Sequence, residues 1–209
     1  INMEILSPTQ KLRRLLIFLI FVAAFFHIFG FAYPHWNSYV FIGVPDLYSI
    51  DIGLWQACIK VSSTTPSVCG SISSITVGDK FNAVRAMAAI ALIFYVATFV
   101  ISILHADRPY NDLYRIACAI CAFLSVTFAL IGVIIYGSNP HMLLGDLLEE
   151  SNVPDSAYKQ SFAVSFFLCI VGVIFAVGTA VLTILFPMIA NWRGWEDNFH
   201  GTTDIHLST

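Results

Sequence analysis

The chain has 209 residues, of which 58% are hydrophobic and only 11% are charged, and its mean hydropathy is +0.80. Roughly a quarter of the residues in soluble domains are charged, so this composition excludes an ordinary soluble globular protein. The formal net charge is −3 and no basic run is longer than Arg13 and Arg14, which excludes the basic surface that nucleic-acid binding requires. At this length we expect one domain over residues 1–209.

Four apolar stretches are long enough to cross the hydrocarbon core of a membrane, which takes about 20 helical residues. They cover residues 15–33, 86–104, 116–136 and 162–192. Backbone groups in lipid must pair within their own segment, and none of the stretches alternates like a barrel strand. We therefore expect a left-handed bundle of four transmembrane helices. The fourth stretch exceeds the membrane thickness, and we expect its excess helix on the outer side.

The distribution of basic residues predicts the orientation of the bundle. Six of them fall in the tails and in the short loop over residues 105–115: Lys11, Arg13, Arg14, Arg108, Arg115 and Arg193. Only three fall in the long loops over residues 34–82 and 137–160: Lys60, Lys80 and Lys159. The positive-inside rule therefore predicts a multi-pass protein with both termini in the cytoplasm and both long loops extracellular or lumenal. We expect the membrane to be the plasma membrane.

Two of the five cysteines, Cys58 and Cys69, lie in the first outer loop, and the other three lie within spans. Disulfides persist on the oxidising side of the membrane, so we predict a Cys58–Cys69 bridge. Closing this short loop would contribute roughly 3 kcal/mol to the stability of the extracellular fold.

The first outer loop is predicted to form a small antiparallel sheet that stands on the bundle. Residues 38–44 are rich in β-branched and aromatic side chains. Residues 47–61 alternate, which would place Trp55 and Ile59 on the same face of one strand.

The sequence contains no motif for catalysis. It has neither a nucleophile elbow nor a glycine loop that cradles phosphate, and its histidines lack the spacing of metal ligands. We therefore expect no enzymatic activity, no cofactor and no metal. His27, inside the first span, is expected to hold a neutral imidazole bonded to a hydroxyl or carbonyl group of a neighbouring helix. Arg85, at the outer end of the second span, is expected to tie the first loop to the bundle.

Several residues of the first loop together resemble the claudin superfamily. Pro34-x-Trp36 follows the first span, Gly53-Leu54-Trp55-x-x-Cys58 precedes the second cysteine, and Ala83-x-Arg85-Ala86 begins the second span. The superfamily includes claudins, peripheral and epithelial myelin-type proteins, and calcium-channel gamma subunits with their glutamate-receptor regulatory relatives. The layout of spans and loops is similar over nearly the whole chain.

The resemblance implies a structural signature rather than a catalytic set. Its members are Trp36, Gly53, Leu54, Trp55, Cys58, Cys69 and Arg85. Leu54 and Trp55 would lie at the membrane-facing edge of the sheet. The second outer loop would supply the last strand, either near Gly137 or just before the fourth span. Residues 74–80 lack the Leu-Pro turn that is common in junctional claudins, so the branch is left open.

The resemblance leaves three functions open. The first is an adhesion and paracellular barrier protein of cell junctions that associates with further copies of itself. The second is an auxiliary subunit that binds a channel or receptor laterally, using small residues such as Ala88 and Gly172 for close helix contact, unless these pack its own bundle. The third is a myelin-type protein that organises membranes. Each places the chain in contact with membrane lipid.

Acidic residues of the outer loops are candidates for contact with ions or partners. They are Asp46, Asp51, Asp79, Asp146, Glu149, Glu150 and Asp155.

Overall fold

The computed structural model of the protein describes residues 8–41, 49–61, 65–72, 78–107, 112–139 and 158–203. Within these ranges the chain forms four helices: α1 (Pro8–Ala32), α2 (Asp79–Asp107), α3 (Asp112–Ser138) and α4 (Val164–Thr203). It also forms five strands: β1 (Asn37–Phe41), β2 (Ser49–Ile52), β3 (Gln56–Lys60), β4 (Val68–Ser71) and β5 (Tyr158–Phe162). The predicted fold class, a helical membrane bundle that carries a small antiparallel sheet, is confirmed.

Each helix contains a segment that is long and apolar enough to cross a membrane. These segments cover residues 10–32, 79–106, 113–138 and 164–185. Their outward-facing side chains include large exposed apolar groups such as Phe18, Ile93, Phe123 and Ile174. A soluble monomer rarely exposes so much apolar surface, whereas lipid solvates it. The chain is therefore a multi-pass membrane protein.

Three helices begin earlier than the sequence predicts, α3 by four residues, at Asp112. α1 begins at Pro8 and α2 at Asp79, each seven residues before its predicted span. The additional residues are mostly polar, so hydropathy omits them although the backbone is already helical. Asp79, predicted in the outer loop, instead lies in the first turn of α2, where the positive end of the helix dipole stabilises a carboxylate.

The predicted outward extension of the fourth span is wrong. β5 ends at Phe162 and α4 begins at Val164, so the helix starts directly after the sheet. The excess length lies at the opposite end of α4, which continues to Thr203. Phe162 is a strand residue rather than a span residue because it pairs with Asn37 of β1. Cross-strand pairing here overrides hydropathy.

The sheet has the order β4-β3-β2-β1-β5, and all four neighbouring pairs are antiparallel. β1 pairs with both β2 and β5, so the strand that precedes α4 closes one side of the sheet. This is the second of the two positions that the family resemblance implies, since Gly137 lies within α3.

Residues 47–61, predicted as a single alternating stretch, contain a hairpin. β2 and β3 are separated by residues 53–55, and the Gly53 N–H donates to the Gln56 carbonyl oxygen across 2.8 Å. Trp55 therefore lies in a turn and does not share a strand face with Ile59.

The sheet and the bundle share one hydrophobic core. Its buried side chains are Trp36, Tyr39, Ile52, Leu54, Ile72, Phe81, Val84, Ala88, Tyr136, Tyr158, Phe166 and Cys169. A second cluster fills the middle of the bundle: Ile20, Ala23, Ala91, Tyr95, Ala129, Val173 and Ala176. α1 and α4 approach closely because Gly30 has no side chain, and a Cβ at this position would collide with the Cys169 sulfur.

Candidate functional site at the junction of sheet and bundle

Trp36 connects three elements where α1 meets the sheet. The helical partner of the Gly30 carbonyl would be the N–H of residue 34, but Pro34 has none. The Trp36 indole Nε1 donates to that carbonyl oxygen across 2.6 Å. The Trp36 backbone N–H donates to the Ile52 carbonyl oxygen, and its own carbonyl oxygen accepts from Ala163 N–H. Trp36 therefore joins the end of α1 to β2 and to the start of α4.

The turn over residues 53–55 lies against the loop that leaves α1. A Cβ at Gly53 would collide with Pro34, so this close approach requires glycine. The Leu54 side chain is fully buried, whereas Trp55 is exposed and its ring meets Phe31 edge to face at 5.2 Å between centroids. The turn thus buries one side chain in the shared core and sets another on the end of α1.

Arg85, in the second turn of α2, holds this turn from the other side. Its Nε donates to the Leu54 carbonyl oxygen across 2.6 Å. The guanidinium carbon lies 5.1 Å from the ring centroid of Trp55 and 4.7 Å from that of Phe81, which are cation–π distances. A planar guanidinium provides a directed donor and two stacking contacts at once.

Cys58 of β3 and Cys69 of β4 lie directly opposite each other and form a disulfide. The bridge that the sequence predicts is confirmed. Because β4 pairs only with β3 in the described sheet, the bridge holds the outermost strand covalently.

The acidic residues do not form a cluster within the described part of the chain. Asp51 lies on β2, where its Oδ2 is 3.5 Å from Nε2 of His35. Asp79 lies at the start of α2. The remaining candidates lie outside the described residues: Asp46, Asp146, Glu149, Glu150 and Asp155.

Two residues at the junction were missed by the sequence reasoning. His35 pairs with Asp51 and stacks on the Tyr33 ring at 4.6 Å between centroids. Ser165 donates from Oγ to the Tyr33 carbonyl oxygen at 3.0 Å, and its backbone N–H donates to the His35 carbonyl oxygen at 2.9 Å. His35 occupies the unspecified position between Pro34 and Trp36. Ser165 has no local signal, because its partners are some 130 positions away in the sequence.

His27 lies inside the bundle and bonds a backbone carbonyl of a neighbouring helix, as predicted. Its Nε2 lies 3.0 Å from the Ala88 carbonyl oxygen. Because a carbonyl only accepts, Nε2 carries the proton. The imidazole also packs on the Tyr95 ring at 4.9 Å between centroids. His27 thus links α1 to α2 inside the bundle.

The three free cysteines lie within helices of the bundle, where they have a structural role. Cys118 and Cys169 are buried and Cys121 is half-buried, and the Cys118 sulfur lies 3.2 Å from the Ser102 hydroxyl oxygen. Among the described residues, no group of three or more His, Cys, Asp or Glu is arranged to hold a metal ion. The arrangement is a scaffold that presents a sheet at one end of a membrane bundle.

Comparison with known protein families identifies a family that this chain matches. The pattern that defines the PMP-22/EMP/MP20/Claudin family matches residues 11–183. The match begins in α1 and ends in α4, so it includes the whole described sheet, α2 and α3, most of α1 and the first half of α4. A search of the curated proteins finds no match to the sequence.

Proposed function

Because the chain belongs to the PMP-22/EMP/MP20/Claudin family, we propose that it is a structural protein of cell–cell contacts, without enzymatic activity. The sheet of each chain lies outside the plasma membrane. It associates with the sheets of further copies to form adhesion and paracellular barrier assemblies. The basic residues in the tails and the short loop support an orientation with both termini in the cytoplasm.

The observation that carries this proposal is an exposed apolar surface at one edge of the sheet. Tyr39, Ile50, Ile59 and Val68 lie opposite one another on successive strands and share a face. Tyr39 is 1% exposed above the bundle, whereas Ile59 is 39% and Val68 is 73% exposed. This face of the sheet is therefore buried at β1 and exposed at β4.

We name β4 together with Ile59 the open edge. The far side of β4 pairs with no other strand in the described part of the chain. An edge strand with exposed apolar side chains is a template for association with another sheet. A neighbouring copy would cover the open edge and continue the layer of sheets along the membrane.

Acidic residues would set the ion preference of such a barrier. On this proposal the carboxylates on the outer side favour passage of cations over anions. They are Asp79 at the start of α2 and, in the outer loops, Asp46, Asp51, Asp146, Glu149, Glu150 and Asp155.

The test uses one substitution at the open edge and a matched control. Val68→Lys places a charge on β4, the device by which natural sheets prevent edge association. Val40→Lys places the same charge on the opposite face of β1, where the native side chain is also exposed. In transfected cells that lack their own junction strands, we expect the native chain and Val40→Lys to concentrate at cell contacts and Val68→Lys to spread evenly. Equal concentration of all three would overturn the proposal.

A second candidate function, an auxiliary subunit of a channel or receptor, is favoured by a different observation. An apolar groove lies between α3 and α4 on the lipid-facing surface. Its lining residues are Leu130, Val133, Ile170, Val173, Ile174 and Val177. A partner's transmembrane helix would fit by van der Waals packing. The small residues Ala88 and Ala91 do not serve this purpose, because they are buried within the chain's own bundle, and Gly172 packs against α1.

The role of the groove in binding a partner is tested by a substitution that fills it. Ile174→Trp would occupy the groove, and Ile184→Trp adds the same bulk to an exposed position of α4 outside it. If the chain is an auxiliary subunit, a channel or receptor subunit co-purifies with Ile184→Trp and is lost from Ile174→Trp. The third function, myelin-type membrane organisation, has no feature of its own among the described residues.

A further inference from the structure

Two polar rings lie inside the bundle at the level where its two hydrophobic clusters meet. His27 of α1 is 2% exposed and Tyr95 of α2 is 0% exposed, and their ring centroids lie 4.9 Å apart. Tyr95 belongs to the cluster in the middle of the bundle. Ala88, whose carbonyl oxygen accepts from His27, belongs to the core that the sheet and the bundle share.

His27 has one ring nitrogen without a partner. Its Nε2 donates to the Ala88 carbonyl oxygen, so in the neutral ring Nδ1 carries a lone pair and accepts only. This Nδ1 is buried, and no group in the described part of the chain bonds it. His27 therefore presents a buried acceptor that lacks a donor.

The hydroxyl of Tyr95 is in the complementary situation. It is buried and bonds no other group among the described residues, although a phenol both donates and accepts. The donor on Tyr95 and the acceptor on His27 thus lie on neighbouring rings without bonding each other. Nearly all buried polar atoms in proteins have a partner, and the hydrocarbon around a transmembrane bundle supplies none.

The surroundings of the two rings fit a small neutral ligand. No charged side chain is buried within the described ranges, so an ion would have no counter-charge. Positions one helical turn before each ring hold alanines, Ala23 and Ala91, which are fully buried and leave room beside the rings for a molecule of about 30 Å³, the size of water. The buried Cys169 thiol of α4 interacts electrostatically with the Tyr95 hydroxyl and is a third polar group at this level.

We propose that a single water molecule is bound between His27 and Tyr95 as a fixed part of the bundle. It donates to Nδ1 of His27 and accepts from the hydroxyl of Tyr95, which gives both atoms a partner. Buried waters bond otherwise unpartnered polar groups in this way, with two to four partners each. The bridge is a second polar link between α1 and α2, beside the bond from His27 to Ala88.

The test is hydroxyl-radical footprinting of the full chain in lipid nanodiscs. An X-ray pulse converts water molecules, including bound ones, into radicals that label the side chains in contact with them, and mass spectrometry gives the labelling rate of each residue. We expect Tyr95 to be labelled several-fold faster than Tyr39. Both side chains are buried to the same extent, but the Tyr39 hydroxyl is already bonded to the Asn37 side chain.

Tyr95→Phe removes the donor that the water needs and keeps the shape of the ring. In this variant we expect the labelling rate of His27 to fall several-fold. Tyr39→Phe is the matched control and should leave the rate of His27 at its native value. Thermal unfolding in mild detergent checks that each variant folds, and the comparison of Tyr95 with Tyr39 in the native chain depends on no variant.

Three results would overturn the proposal. Equal labelling of Tyr95 and Tyr39 in the native chain would mean that the contact between the rings is dry. An unchanged rate of His27 in a folded Tyr95→Phe chain would mean that Tyr95 does not hold the water. Labelling of Phe175, an apolar residue packed against the same cluster, as fast as Tyr95 would mean that bulk water enters the bundle.

Discussion

Arg85 Nε donates a hydrogen bond across 2.6 Å to the carbonyl oxygen of Leu54, 31 residues earlier in the chain. The bond joins the second turn of α2 to the turn between β2 and β3. Because the Leu54 side chain is fully buried in the core, this contact ties the sheet to the bundle beside a packed residue.

Removing the guanidinium is therefore expected to loosen the sheet. Arg85→Ala leaves the Leu54 carbonyl without its charged donor, a loss of about 1.5 to 3 kcal/mol. Arg85→Lys keeps a charge near the two aromatic rings but loses the directed fork, so its loss is smaller. The measurement is thermal unfolding in mild detergent, which should rank the native chain above the Lys variant and the Lys variant above the Ala variant.

Lys80→Ala is the control for this series. Lys80 also lies in the first turns of α2, but its Nζ bonds the Asn139 side chain in an exposed position. Exposed substitutions of this kind change stability by about 0.5 kcal/mol or less. Equal melting of Arg85→Ala and Lys80→Ala would contradict the anchoring role of Arg85.

Glycine is required at position 53 because of Pro34. A Cβ in Gly53→Ala would collide with the Pro34 backbone, so the turn and the loop must separate. We expect a loss of about 1 to 3 kcal/mol, in the range of overpacked sites. Gly70→Ala, in the same sheet, adds a Cβ with no atom within 4 Å and should leave stability nearly unchanged. Protease resistance of the folded sheet compares the two, and equal resistance would refute the steric account.

The disulfide is expected to stabilise the outermost strand. Replacing both cysteines, as Cys58→Ser with Cys69→Ser, removes a bridge worth roughly 3 kcal/mol by chain entropy. Cys121→Ser is the control, since Cys121 is a free, half-buried thiol in α3. Melting in the presence and absence of a reductant checks this: the native chain and the control should lose stability on reduction, and the double variant should not respond.

The folded chain is expected to lose stability at high pH because of Tyr39. Burial in the sheet core raises its pKa to about 12 from the ordinary value of 10.0, because the phenolate is poorly solvated there. Between these values the unfolded chain loses the proton and the folded chain keeps it, so stability falls as the pH rises from 10 to 12. The slope contributed by this group is at most about 1.4 kcal/mol per pH unit.

Tyr39→Phe removes this titration and should flatten that part of the pH profile. Denaturant midpoints measured across the interval separate the two chains. A native profile with the same slope as the Phe variant would show that Tyr39 does not contribute.

Features that depend on residues close together in the sequence could be predicted from it. Hydropathy identifies the four spans, and the oxidising side of the membrane selects Cys58 and Cys69. The polar first turns of α1 and α2 escape the same criterion, which is why hydropathy predicts a loop at Asp79. Hydropathy predicts a helix at Phe162, because the apolar character of this residue does not indicate its pairing with Asn37.

Features that depend on distant partners could not be predicted. The turn at Gly53 follows from contact with Pro34, and neither residue signals the other in the sequence. The contact between His35 and Asp51 likewise appears only once β1 and β2 are placed side by side.

The most direct test of the proposed function is native purification from mild detergent, followed by mass spectrometry of the proteins that co-elute. A chain with Cys58→Ser serves as the misfolded control. Association through the open edge predicts oligomers of this chain alone, and these should fall apart in Val68→Lys. A stoichiometric channel or receptor subunit that co-elutes with both the native chain and Val68→Lys would contradict the cell-contact function and support the auxiliary-subunit function.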